Sequence, residues 1–217
     1  MDVPVTFLAA ISNTAEIFNS LFDIFVALGL AVGAVVLGVI GYLVIKNRDR
    51  GLSVAESDDA PTLGRFPPER GKLKDVLPSL VISSVILGVL VFGTFGALDT
   101  IQNPPEDSME VNVVGIQWAW KFTYEDGRES LGELRVPAGE AVRLQVTSQD
   151  VFHNFGIPDF KIKIDAIPGR SNVIWFVAHE PGEYDIACFE LCGTGHAFMK
   201  AKLIVMESTA FQTWQAG

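Results

Sequence analysis

The sequence predicts a pair of membrane-spanning helices followed by an external all-β domain. Three observations carry that reading. Two uncharged apolar runs stand in the N-terminal half, Lys and Arg gather between them, and the C-terminal half alternates short apolar segments with Pro- and Gly-bearing turns. The composition agrees. Of 217 residues, 49% are apolar and only 19% charged, a balance tilted toward a membrane protein but too polar for a chain lying wholly in lipid. The net charge of −10 argues against nucleic acid as a partner and favours a cationic one.

The first apolar run, Ile24 to Ile45, has no charge between Asp23 and Lys46, and the second, Val76 to Leu98, is bounded by Asp75 and Asp99. Each exceeds the roughly 20 residues that cross a bilayer, and buried core helices rarely run so long. Pro78 falls in the first turn of the second run, where a missing N–H costs little. The segment between the runs carries Lys46, Arg48, Arg50, Arg65, Arg70, Lys72 and Lys74, whereas residues 1–23 and 99–120 carry no basic residue. By the positive-inside rule, loop 46–75 is cytoplasmic and both termini are external, which in a bacterium means periplasm or cell exterior. Residues 1–23 lack the basic start of a secretory signal and read as a short external segment. Residues 24–98 are then a transmembrane hairpin, its loop irregular over 53–72, and residues 99–217 an external domain.

From Met109 the pattern shortens. "IQWAWKFTYEDG" sets Trp118, Trp120, Phe122 and Tyr124 on one face before a turn at Asp126-Gly127. "ELRV", "AVRLQVTS", "KIKIDAIPG", "NVIWFVA", "EYDIACF" and "KAKLIVM" follow as strands, with Pro-Gly turns at 168–169 and 181–182. Many short strands at regular spacing suggest a β-sandwich or barrel. The tail "STAFQTWQAG" reads as a helix capped by Ser208 or Thr209. Residues 99–217 hold 17 acidic and nine basic side chains, either a solvated surface or a field that steers a cationic partner.

Soft donors are crowded into one stretch. "CFELCGTGHAFM", residues 188–199, holds both cysteines of the chain, one of three histidines and one of four methionines. Thiolate, imidazole and thioether together favour copper or another soft metal over magnesium or calcium. "DVFHNF" offers a second histidine, His153, from the far side of the sandwich, and sandwich loops cluster at the ends where such groups can meet. Three other readings compete. A Cys188–Cys192 disulfide would leave Glu190, His196 and Met199 without a role. A structural zinc site uses two Cys and two His, but the C-x3-C spacing is unusual for it and Met is a poor zinc ligand. A blue-copper site needs only one Cys. Two thiolates can instead bridge two copper ions, with one His on each. His179, in "VAHEPGEY", reads as a surface turn residue, and Met206 as core.

"C-x-E-x-C-G-x-x-H-x-x-M" at 188–199 resembles the binuclear copper A motif of cytochrome c oxidase subunit II. "DVFHNFGIPDFKIKIDAIPGR", Asp150 to Arg170, is similar to that family's segment around the first copper histidine, and "GIQWAWKFTY", Gly115 to Tyr124, to its aromatic segment. The resemblance implies a cupredoxin-like Greek-key β-barrel. It implies bridging thiolates from Cys188 and Cys192, one copper ligand each from His153 and His196, a weak Met199 sulfur ligand and the Glu190 backbone carbonyl. It further implies that the Glu190 side chain meets a magnesium ion at the contact with subunit I. Trp118 corresponds to the family's tryptophan for accepting electrons from a cytochrome c, with Asp150 a candidate for docking that basic donor. Ala119 and Gln149 depart from the aromatic and acidic residues common there. The segment before the second span lacks the family's Glu and Trp-Thr pattern, leaving Glu69 and Asp75 as carboxylate candidates for a proton-uptake entrance.

The implied function is subunit II of a haem-copper terminal oxidase, taking electrons from a cytochrome c-like donor and passing them to haem in subunit I, where dioxygen becomes water. The haems belong to other chains, because no histidine falls in either span, and no C-x-x-C-H occurs. A copper A subunit of a nitric oxide reductase is an alternative, as is a membrane-anchored structural zinc domain. Nitrous oxide reductase is disfavoured without a large His-rich domain, and quinol oxidase subunits lack the copper ligands.

Overall fold

The computed structural model describes residues 10–48 and 73–217. Residues 1–9, most of the expected loop with Glu69, and the Asp75 side chain lie outside the described residues. Residues 24–93 form one compact unit and the rest of the described chain another.

Helix α1 (Asn13–Lys46) and helix α2 (Leu73–Gln102) contain the two apolar runs, and both are long and apolar enough to cross a membrane. Their most apolar windows bury nothing within the protein itself, the mark of a surface meant for lipid or partner helices. Both outlast the apolar runs. α1 starts at Asn13 because Ser12 caps it: the Ser12 hydroxyl accepts the Ala15 N–H at 3.1 Å. α2 continues to Gln102, taking in Asp99 to Gln102, and stops one residue short of the residue preceding Pro104.

The β-domain has two five-stranded sheets. Strand β1 (Met109–Ile116) pairs antiparallel with β2 (Ala119–Tyr124), and β2 with the short β3 (Glu129–Leu131). The chain crosses to the other sheet as β4 (Glu133–Pro137), then returns as β5 (Ala141–Ser148), parallel to β1. β6 (His153–Ile157) and β7 (Ile162–Ala166) form a hairpin in the second sheet, and β8 (Asn172–Val177) pairs with β5 in the first. β9 (Gly182–Cys188) and β10 (Lys200–Met206) complete the second sheet, β10 running parallel to β4. The orders are β3-β2-β1-β5-β8 and β4-β10-β9-β6-β7. Such repeated crossing gives each strand one inward face, and the sequence obeys it: in β5, Val142, Leu144 and Val146 are fully buried while the residues between them are half-buried. Phe155 of β6 packs edge-on against Trp120 and Phe122 of β2, locking the sheets together.

Some elements differ from the sequence expectation. Trp118 lies outside β2, in the two-residue reversal after β1, so it leaves the buried face of Trp120, Phe122 and Tyr124 and is 40% exposed. Helix α3 (Ser208–Ala216) is preceded by Glu207 as its cap, with no side-chain cap bond. The Ser208 hydroxyl turns instead to the Ala138 carbonyl at 3.5 Å. Met206 is half-buried, at the rim where its carbonyl accepts the Ala138 N–H.

Two ties join the helix ends to β8 and the residues after it. Ser12 bridges to Ala178, the His179 N–H donates to the Ile11 carbonyl at 2.9 Å, and the Val177 N–H donates to Asn13 Oδ1 at 2.8 Å. From the other helix, the Ile101 carbonyl accepts Trp175 Nε1–H at 2.8 Å. His179 is a surface residue, as expected, and also takes part in this junction, with Nε2 3.6 Å from Glu16.

Phe155→Ala should cost about 3–5 kcal/mol, because it empties the buried space between the sheets. Denaturant unfolding of the full chain in detergent measures it.

Candidate metal centre

The site is assembled at one end of the second sheet. β6 begins with His153 and β9 ends with Cys188, and these strands are hydrogen-bonded neighbours through Phe155↔Cys188 and Gly156↔Ala187. His153 therefore does not come from the far side of the sandwich; one strand-to-strand step delivers it. After Cys188 the chain loops outward through Cys192, makes a 3-10 turn at His196–Phe198 and re-enters as β10. The loop is closed at its base, where the Cys188 N–H donates to the Met199 carbonyl at 3.1 Å and the Phe189 N–H to the Asn154 carbonyl at 2.8 Å.

Five side chains and one carbonyl converge there. Cys188 Sγ lies 3.8 Å from Cys192 Sγ, 3.9 Å from His153 Nδ1 and 3.2 Å from the Glu190 carbonyl oxygen. Cys192 Sγ lies 3.5 Å from His196 Nδ1 and 3.7 Å from Met199 Sδ. Both cysteines are free and buried, so the disulfide reading fails. His153 and Met199 are fully buried, whereas the Glu190 side chain is exposed. His153, Cys188 and Cys192 present ligand atoms within 4.8 Å of one another, and His196, though it touches Cys192, falls outside that group.

The surroundings orient these donors. Asp150 Oδ1 lies 2.8 Å from His153 Nε2, and the carboxylate also accepts the backbone N–H of Gln117 at 2.7 Å and of Val151 at 2.6 Å. Burial alone would raise the Asp150 pKa, but these bonds, led by that from His153, hold it down to about 2. An acceptor-only carboxylate places the neutral ring's proton on Nε2 and leaves the Nδ1 lone pair facing the sulfurs. The Cys192 thiol is pushed up to about 11, first by burial and then by the neighbouring Cys188, so the metal-free thiol is protonated at neutral pH and metal must displace its proton.

Trp118 sits against the ligand loop. Its Nε1–H donates to the Cys192 carbonyl at 3.3 Å, which also accepts Gln117 Nε2–H at 2.6 Å. A Cβ on Gly195 would stand 2.3 Å from Trp118 Cδ2, so only glycine lets the indole seat there. A Cβ on Gly115 would stand 2.9 Å from His153 Cδ2. Gln117, Gly115 and Gly195 were not singled out by sequence; only their adjacency to Trp118 and to the Cys-His stretch signals them.

The donor set fits copper. Thiols, imidazoles and a thioether are soft to borderline ligands, all carried on a paired β framework and a short loop closed by backbone bonds. A fold of two apolar helices and a cupredoxin-like domain with such a cluster is consistent with a membrane-anchored protein carrying a soft-donor site. The comparisons narrow this. Residues 129–209 match the family model described as cytochrome c oxidase subunit II, periplasmic domain. The chain is 39% identical to heme-copper oxidase subunit 2 of Aeropyrum pernix, across 91% of this chain and 88% of that one. It is 30% identical to cytochrome c oxidase subunit 2 of Thermostichus vulcanus, across 94% and 76%. The crystal structure of the periplasmic domain of cytochrome oxidase subunit II (CoxB) of Bradyrhizobium japonicum superposes with a TM-score of 0.50 at 36% identity, covering 52% of this chain and 94% of that domain. The chain belongs to the cytochrome c oxidase subunit II family of the haem-copper oxidases.

Two outcomes follow from this geometry. Gly195→Ala should drive the Trp118 ring off the loop and raise its acrylamide quenching, a change that disappears in a Trp118→Phe background. In the metal-free protein, the depressed Asp150 pKa contributes stability that is complete above about pH 4, the ordinary carboxylate range, and lost as pH falls through about 2. Asp150→Asn should flatten that part of the acid-unfolding curve.

Proposed function

We propose that this chain is the electron-accepting subunit of a haem-copper oxidase. It takes electrons from a cytochrome c-like donor outside the membrane and delivers them toward haem in subunit I, where dioxygen is reduced to water. The arrangement of the donors carries this reading. Around one tetrahedral zinc, with Zn–S about 2.3 Å and Zn–N about 2.0–2.1 Å, every donor pair would lie within about 4 Å. His196 falls outside the 4.8 Å group that joins His153 to both sulfurs, which favours two metal positions over one. In this assignment Cys188, Cys192, His153 and His196 would hold the metal, with Met199 Sδ and the Glu190 carbonyl as weak ligands. Copper held there would supply a one-electron couple shared over two ions.

The protein's part is to keep those donors still. Asp150 fixes the His153 ring, the bonds at the loop base fix Cys188, and the pairing of β9 with β10 ties Cys188 to the strand after Met199. A carrier whose ligands move little between oxidation states loses little to reorganisation. Trp118 would receive the donor's electron, a role supported by its partial exposure and its bond to the Cys192 carbonyl. The exposed Glu190 side chain is free to meet a magnesium ion at the face shared with subunit I. We assign residues 24–98 to the membrane hairpin, loop 46–75 to the cytoplasm, and residues 1–23 and 99–217 to the external side.

Cys188→Ser or Cys192→Ser should lower bound copper below two per chain and abolish a delocalised mixed-valence EPR signal. One colourless zinc per wild-type chain would overturn the assignment. Trp118→Ala should leave copper content intact while cutting electron transfer from cytochrome c by tenfold or more, read by stopped-flow reduction of the centre.

A further inference from the structure

A second feature lies away from the ligand cluster, where the outer helix ends meet the β6–β7 hairpin. A pocket of about 280 Å³ is walled by Ile17 and Leu21 of α1, Ile101 of α2, and Ile162 and Ile174 of the β-domain, with Lys161 and Lys163 on its rim. Leu21 and Ile101 each stand three residues outside an uncharged run, at 24 − 21 and 101 − 98, about 4.5 Å along a helix. That falls within a lipid headgroup layer, about 5–8 Å deep on each side of a core of about 30 Å.

Of the nine Lys and Arg in residues 99–217, five form ion pairs: Lys121, Arg128, Arg135, Arg143 and Lys202. Lys161 and Lys163 are both exposed and, like Arg170 and Lys200, form none among the described residues, but they alone stand on the rim of this pocket. Lys161 also holds φ +58°, a conformation easier for glycine than for lysine. The pocket's walls are tied together, Thr14 Oγ1 donating to the Phe160 carbonyl and Trp175 Nε1 to the Ile101 carbonyl. We propose that this pocket binds an anionic phospholipid of the outer leaflet, its phosphate between Lys161 and Lys163 and the start of an acyl chain along Ile17, Leu21 and Ile101. A zwitterionic lipid would waste the paired cations, and free phosphate would leave the apolar wall wet.

The test is native mass spectrometry of the full chain in mild detergent, with phosphatidylglycerol, phosphatidylcholine or inorganic phosphate added in turn. One phosphatidylglycerol should be retained per chain, more weakly at high salt, with neither other probe retained comparably. Each lysine removed should weaken it about fivefold, and Lys161→Gly with Lys163→Gln about thirtyfold. Lys161→Gly relieves the left-handed backbone, so a fall in binding with an unchanged or higher Tm reports charge, not unfolding. Lys161→Arg with Lys163→Arg should retain the lipid. Equal retention of phosphatidylcholine, phosphate binding as tight as lipid, undiminished binding by the Gly/Gln variant, or lysines cross-linking to another subunit in the assembled oxidase would each overturn the proposal.

Discussion

Two residue pairs, Phe155 with Cys188 and Gly156 with Ala187, join the strand that starts at His153 to the strand that ends at Cys188. The ligand cluster depends on this short piece of ladder. It decides which face of β6 meets β9, because a slip of one residue would turn His153 away from the sulfurs. It also carries the packing that secures it, since Phe155 is gripped edge-on by Trp120 and Phe122. A Cβ on Gly156 would come within 2.7 Å of the Phe189 ring, so glycine there lets that ring lie flat beside the pairing. Core packing and ligand placement are thus one constraint seen from two sides.

The rest of the site adds orientation to that placement. Asp150 reaches from the turn after β5 to His153, and its other oxygen takes the N–H of Gln117, the residue before the exposed indole. Gln117 in turn reaches the carbonyl of Cys192. The turn carrying Trp118 and the loop carrying the second thiol are therefore braced through the same two side chains. Such bracing would suit the electron-carrying role proposed above, in which the ligands move little.

Much of this was legible in the sequence, for identifiable reasons. The apolar runs announced α1 and α2 because lipid demands long uncharged helices, and the alternation in "AVRLQVTS" announced β5 because one face of each sheet is buried. The crowding of Cys188, Cys192, His196 and Met199 in sequence announced that their side chains gather at one point, as they do. What pattern could not reach was tertiary. Trp118 follows the same alternation as Trp120, yet the chain reverses before it and exposes it. The adjacency of His153 to Cys188 rests on the order β9-β6-β7, which no local spacing encodes. Helix α1 begins before its apolar stretch because its first turn packs on protein, with Thr14 and Ala15 buried.

The ties from Ser12 and Asn13 on one side and Ile101 on the other end on β8 and the residue after it. A domain hung from a single strand of chain could swivel about it; one hung from two legs, like a bipod, has a fixed heading. The indole and the soft donors then face a constant direction with respect to the outer helix ends. The donor proposed above would meet a target already aimed, and little of its binding free energy would be consumed in stilling the domain.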